Sequence, residues 1–259
     1  MGGADPIPTE PFAHVDPRWR HERTGSTYEA PMKVDVVIPA LNEEAALPTV
    51  LASIPRPPVR RVVVADNGST DRTAEVAREG GAEVVRQDER GYGAACLEAL
   101  AHLANDPPDV VVFLDGDASD HPEELPALIA PIAAGRADLV IGSRVRGNLQ
   151  RGALTPQQRV GNAIACVVLR VIYQAEYSDL GPFRAIRWEA LEQLRMRDRN
   201  YGWTVEMQIR AARLGFRGAE VPVSYRPRIG ESKVSGTLRG TLGASRKILW
   251  LLARHAVSS

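Results

Sequence analysis

Four short runs constrain this chain more than anything else in it: VDVVIP at 34–39, RRVVVAD at 60–66, AEVVRQ at 82–87 and DVVVFLD at 109–115. They stack Val, Ile and Phe with little of the polar alternation that a half-exposed strand shows. Strands of that kind are covered on both faces, the condition met in a parallel sheet. The stretches between them, EEAALPTVLASI, DRTAEVAREGG and GAACLEALAHLA, carry helical spacing. Strands alternating with helices predict an α/β fold, a Rossmann-like, mostly parallel central sheet flanked by helices. Each run leads into polar residues: Asn42 and Glu43, then Asp66 and Asn67, then Arg90 and Gly91, then Asp115 and Asp117. Ligands of open parallel sheets bind at the carboxyl ends of the strands, so these four loops are expected to converge.

The second half changes rhythm. A fifth strand, DLVIGSR at 138–144, precedes a helical stretch at 156–174, the segment SDLGPFRAIR, a helix near 203–214, a short strand AEVPVSYR and the basic loop RIGESK. Nothing linker-like separates the halves, and residues 32–237 read as one domain whose second half walls the site. Residues 1–31 are dense in Pro, Gly and charge with no apolar core, the composition of a poorly ordered arm and not of a signal peptide. In the tail, 238–259, leucines near helical spacing alternate with Arg239, Arg246, Lys247 and Arg254. It reads as a helix packed on the domain or at an interface, with a second copy or a membrane surface as the alternatives. Its strongly apolar core, ILWLL at 248–252, falls far short of the ~20 residues that cross a bilayer.

Thirty-two Lys and Arg balance thirty-two Asp and Glu. No overall positive field draws the chain to nucleic acid, and an anionic partner must be gripped locally. Cys96 and Cys166 stand among apolar neighbours without metal-ligand spacing, as buried thiols of a reducing, cytoplasmic compartment do.

Asp115 and Asp117 follow the fourth run one residue apart, and Gly116 between them permits close approach by a ligand. Paired oxygens in that setting suit Mg²⁺ or Mn²⁺, hard cations that share ligands with substrate phosphates, although an acidic turn on a surface has the same sequence. Asp66 is placed either to accept from a nucleobase imide or to close its own turn. The G-x-G-x-x-G and G-x-x-x-x-G-K-[ST] phosphate-binding patterns are absent.

Seven segments in order, VVIPALNEE, VVVADNGSTD, RGYGAA, FLDGDASDHPE, GSR, DLGPFRAIR and RIGESK, resemble the motifs of family 2 glycosyltransferases, most closely the dolichol-phosphate mannose synthase and polyprenyl-phosphate glycosyltransferase branch. The resemblance spans roughly residues 34 to 235. It implies a GT-A fold and inverting, metal-dependent transfer of a hexose from a UDP- or GDP-sugar, with a polyprenyl phosphate as the foremost acceptor. Pro39, Leu41, Asn42 and Glu43 match the loop that holds the nucleoside, and Asp66 the residue that contacts its base. Asp115, Gly116 and Asp117 match the DxD motif, with Asp117 the direct metal ligand. Ser119 stands where that branch often has Gln, as a shorter ligand or one acting through water. Arg90 with Gly91, and Arg226, Arg228, Ser232 and Lys233 near or in the RIGESK flap, are the diphosphate's candidate partners.

On the acceptor side DLGPFR matches a D-x-x-G-F-R-like segment, with Pro182 as an extra residue between Gly181 and Phe183. A lipid phosphate has a second pKa of ~6 and needs no base. Arg184, Arg144 and Arg146 would then clamp it, and Asp179 would orient them or the sugar. A hydroxyl acceptor would instead need Asp179 or Glu206 to take its proton. For Glu206 the plain alternative is an i,i+4 pair with Arg210. His121 reads as a helix-start residue. Transfer to a soluble hydroxyl, and nucleotide-sugar binding without turnover, are the competing functions.

Overall fold

A computed structural model describes residues 32–230. The N-terminal arm, Ser232, Lys233 and the tail helix expected at 238–259 lie outside the described residues. Within them the order is β1 (Val34–Ala40), α1 (Leu47–Ser53), β2 (Val59–Asp66), α2 (Thr73–Glu79), β3 (Glu83–Arg86), α3 (Tyr92–Leu103), β4 (Val110–Phe113), α4 (Leu125–Ala133), β5 (Leu139–Ser143), α5 (Pro156–Tyr173), β6 (Arg184–Arg187), α6 (Trp188–Leu194), α7 (Trp203–Arg213) and β7 (Gly218–Pro222). The strands form one sheet in the order β3-β2-β1-β4-β6-β5-β7. β6 runs antiparallel to β4 and β5, and every other pairing is parallel.

The valine runs fill both faces of that sheet. Val36, Ile38, Val62, Val64 and Val112 pack on one side with Leu47 of α1 and Leu128 of α4. Their neighbours Val37, Val63, Val111 and Phe113 pack on the other with Ala95 and Ala99 of α3 and Trp203 and Met207 of α7. Burying each such side chain contributes about 1.5–3 kcal/mol, which is why apolar continuity marked these strands. The registers Val36↔Val62 and Val36↔Val112 bring the carboxyl ends of β1, β2 and β4 to one edge.

Three local features differ from the sequence reading. The first helix begins at Leu47, with Pro48 in its first turn, because the preceding ALNEEAA is folded into loop contacts with the β2–α2 turn. β7 ends at Pro222, and the rest of AEVPVSYR leaves the sheet so that Tyr225 bridges Asp120 and Leu149. Helix α6 follows β6 without a break and carried no separate signal in the reading above.

Candidate active site at the carboxyl edge of the sheet

The loops after β1, β2 and β4 are stitched together. Asp66, buried at the end of β2, accepts from the Ser69 N–H at 2.8 Å and pairs with Arg86 of β3 at 3.2 Å. Ser69 Oγ in turn accepts from the Asn42 N–H at 2.9 Å, and Asn42 Oδ1 accepts from the Thr70 N–H at 2.8 Å. Asn42 has φ 53°, a left-handed conformation that Asn tolerates, and with Leu41 it turns the chain away just after Pro39 and Ala40 close β1. The next residue, Glu43, is buried, donates its backbone N–H to Thr73 Oγ1 at 2.8 Å and pairs through its carboxylate with Arg228 at 3.3 Å. The same Arg228 nitrogen lies 3.0 Å from Asp117 Oδ2. Contacts therefore lead without a break from Asp66 to Asp117, on one mouth of the protein.

Beside this path, Asn67 joins the third loop. Its side chain donates to the carbonyls of Gln87 and Glu89 and accepts from the Gly91 N–H at 2.7 Å. Arg90 reaches back over Gly68. Gly91, at φ 151°, has no room for a side chain because the Arg199 carbonyl fills it.

The loop after β4 concentrates carboxylates. Asp117 Oδ1 accepts from both the backbone and the hydroxyl of Ser119, at 2.9 and 2.5 Å. Ser119 thus fixes the Asp117 rotamer. Ala118 between them sits at φ 60°, a strained conformation for a residue with a Cβ. Asp115 accepts from Tyr92 Oη at 3.0 Å. Scarce solvation and the nearby Asp117 charge push Asp115 up to about 7. Asp120 is buried with both oxygens short of any hydrogen-bond partner; its one weak contact, to the Asp115 backbone, misses bonding geometry. Burial and the charges of Asp115 and Asp117 push it well above the usual carboxylate range. Three crowded acids, one of them orphaned, are short of positive charge, and their all-oxygen donors suit a hard cation. No three His, Cys, Asp or Glu among the described residues close into a protein-only metal cage. Ions such as Mg²⁺ fit that arrangement because they keep waters and substrate phosphates as ligands.

Segment 223–229 lies across this loop. The Arg226 N–H donates to Ser119 O, Arg226 Nε to Ala118 O at 2.7 Å, and the Ile229 N–H to Asp117 O at 2.9 Å. On the second-half side, Asp179 is fully buried and takes three bonds from Arg144: backbone N–H at 2.8 Å, Nε at 2.9 Å and an Nη at 2.7 Å. The Arg144 guanidinium lies 5.0 Å from the centre of the Tyr225 ring, and its charge offsets part of the upward push on Asp115 and Asp120. Glu220 of β7 accepts from the Ser178 and Asp179 N–H groups and fixes this turn.

Two sequence expectations are corrected by this geometry. Arg184 is not a phosphate clamp: it is fully buried inside the sheet, and its guanidinium donates to the carbonyls of Leu180, Gly181 and Thr204. Burial brings it down to about 10. Glu206 is not placed as a base, because its buried carboxylate accepts from the Arg197 and Asp198 N–H groups and pairs with Arg210 at 2.8 Å. Gly116 also packs tightly on the core, since a Cβ there would meet Ile38 Cγ2 at 3.3 Å. His121 precedes the short 3₁₀ turn Pro122–Glu124 and contacts Glu123 at 2.9 Å. Tyr92, Tyr225, Arg86 and Glu220 enter the site unannounced, since nothing local in sequence distinguishes them. Asp120 had a signal in the DASD spacing, and its isolation appears only in three dimensions.

The sequence profile described as Glycosyl transferase family 2 matches residues 35–220. An uncharacterised glycosyltransferase of Mycobacterium tuberculosis is 43% identical over 211 residues, 81% of this chain and 93% of that protein. A dolichyl-phosphate hexose transferase of Haloferax volcanii is 39% identical over 203 residues, covering 77% and 85%. Among solved structures, glucosyl-3-phosphoglycerate synthase of Mycobacterium tuberculosis, in complex with Mn²⁺, UDP and glucosyl-3-phosphoglycerate, superposes with TM-score 0.70 at 28% identity over 87% of this chain and 80% of that one. The fold is GT-A, and the chain belongs to glycosyl transferase family 2, a glycosyltransferase with relatives in the polyprenyl-phosphate branch.

Proposed function

We propose that this glycosyltransferase is inverting and metal-dependent, and moves a hexose from a UDP- or GDP-sugar to a polyprenyl phosphate. The observation that supports the donor half is the path of contacts from Asp66 to Asp117, which joins the acid proposed to meet the base to the acidic loop. Asn42, Glu43 and Asp66 hold the nucleoside, with Pro39 and Leu41 as its backbone wall. Asp117, oriented by Ser119, holds the divalent ion with Asp115. The bound ion supplies charge neutralisation at the departing diphosphate without any proton transfer. Arg90 and Arg228 add guanidinium forks for the same oxygens, with Ser232 and Lys233 of the flap beyond the described residues.

The acceptor half rests on Arg144. Its guanidinium faces the acidic loop while Asp179 fixes it from behind, an arrangement that presents a rigid cation to a dianionic headgroup. An acceptor phosphate oxygen attacks the sugar's anomeric carbon opposite the diphosphate, a bond to that oxygen forms as the carbon–diphosphate bond breaks, and the configuration inverts. Being largely ionised above its second pKa of ~6, the acceptor gives up no proton in the step. Asp179, with both oxygens on Arg144, is a positioning residue here. The names of the relatives support the lipid acceptor, and the phosphoglycerate synthase supports a soluble one.

The test is a competition with labelled donor, Mn²⁺, a detergent-dispersed polyprenyl phosphate and 3-phosphoglycerate in one tube. Label in the acid-labile lipid product supports the proposal. Label only in the soluble product, or only in free sugar, sinks its acceptor half.

A further inference from the structure

Among the described residues, nothing covers a long apolar stripe on helix α5. Val160, Ile164, Val167, Val171 and Ile172 are 59%, 47%, 49%, 72% and 45% exposed. Their i, i+4, i+7, i+11 spacing puts the first four on one face, while Ala165, Cys166 and Leu169 bury the opposite face against Val205 and Ile209 of α7. Thr155 caps this helix with a full capping box and Pro156 starts it, so the stripe is displayed on a well-formed element.

Along the chain that leads into α5 and builds it, up to Glu176, charge has one sign. Residues 144–175 contain Arg144, Arg146, Arg151, Arg159 and Arg170 and no Lys, Asp or Glu, in a chain whose formal net charge is zero. The five positive charges of this one stretch are therefore balanced by excess acid elsewhere. Arg151, Arg159 and Arg170 are exposed, as is Arg146, which also pairs with Glu220 at 3.5 Å. A second copy of this face would meet it with the same charges, and the tail at 238–259 is basic as well. An anionic surface complements both the cations and the aliphatic stripe.

The face also adjoins the acceptor side. Asn162 of α5 donates to Ser178 O at 3.1 Å and accepts from the Leu180 N–H at 2.9 Å, bracketing the Asp179 that holds Arg144. We infer that α5, with the arginines around it, is a docking face for an anionic lipid surface, which brings the bilayer up to the Arg144 side of the site. The inference rests on the lipid-acceptor reading for its purpose, and not for its physics. It also relocates membrane contact from the tail to a helix of the domain itself.

The experiment uses the full chain and vesicles free of any polyprenyl phosphate, so that its outcome is independent of acceptor identity. Co-sedimentation compares phosphatidylcholine vesicles with vesicles holding a third phosphatidylglycerol, for the wild type and for V160E/I164E/V167E, which changes only exposed positions. Retained donor-induced thermal stabilisation certifies that the variant is folded. The expected result is wild-type binding to the anionic vesicles at least tenfold tighter than to the neutral ones, and at least a tenfold loss in the variant. Absence of wild-type binding, equal binding to both vesicles, or full binding by the folded variant overturns the inference. Transfer to polyprenyl phosphate in detergent, measured separately, reports on the proposed acceptor whichever way the vesicles decide.

Discussion

Asp179→Asn separates a positioning carboxylate from a base. In the native protein Asp179 is wholly buried and receives three bonds from Arg144, whose side chain is itself 11% exposed. The substitution keeps the shape but turns an NH₂ toward a guanidinium that loses its one directly hydrogen-bonded carboxylate, with only the more distant acidic loop left to balance it. Breaking a buried pair from one side costs about 3–5 kcal/mol, and Asn, retaining one acceptor oxygen, should sit near the lower figure. At ~2–4 °C per kcal/mol for a domain of this size, the melting point drops by about 6–12 °C. If the function of Asp179 is to aim Arg144, misplacing that cation removes about 2.7 kcal/mol of transition-state stabilisation, or ~100-fold in kcat/KM. The decisive assay is a double-mutant cycle on initial rates, D179N against R144A. Positioning predicts that D179N costs less than about threefold once Arg144 is gone, because the two act as one unit. A further loss near 100-fold in the R144A background, together with a vanished acidic limb in the pH–rate profile, would show that Asp179 takes a proton from a hydroxyl acceptor.

Three other outcomes follow from the same contacts. Glu206→Ala orphans two buried N–H groups and Arg210, and should lower stability in urea by about 3 kcal/mol while leaving kcat per folded molecule unchanged; a lost kcat would restore it to the chemistry. Arg228→Ala frees Asp117 and Glu43 of a shared cation, so calorimetry should find Mn²⁺ binding to the donor-free protein tightened about fivefold, equivalent to ~1 kcal/mol for a partly exposed pair, with donor affinity reduced. Burial tends to raise Asp138, but the hydrogen bonds and charge of Arg217 outweigh it and hold the group below 3.8. The stability from this depressed carboxylate is complete above 3.8 and drains away as pH falls through the native value. Denaturation of Asp138→Asn should therefore show a deficit of about 1–3 kcal/mol at neutral pH that narrows below pH ~4; a constant deficit would contradict the assignment.

The fold was legible because its strands are nearly pure valine and the carboxyl ends of parallel strands are where ligands bind. β6 and its reversed direction were not, since RAIR carries no mark of which neighbours it will pair with. The donor loops announced themselves through polar residues at strand ends, as with Asn42, Asp66 and Asp117. Arg184 was misread because sequence shows a charge and not the three carbonyls that surround it once β6 lies between β4 and β5. For Glu206 the i,i+4 partner Arg210 was visible, while the two backbone donors from the turn at 197–198 come from a different part of the chain.

The proposed donor site requires Asp66 and Asp117 to serve one nucleotide, and thermal melting with UDP- and GDP-sugars, with and without Mn²⁺, measures that directly. For the wild type, one donor at about 100 times its Kd with Mn²⁺ should add ~2.7 kcal/mol, or roughly 5–11 °C. Asp66→Ala and Asp117→Ala should each abolish that same shift. If either variant, still folded, keeps the full metal-dependent shift that the other loses, the two acids do not share a ligand and the proposed donor site is wrong.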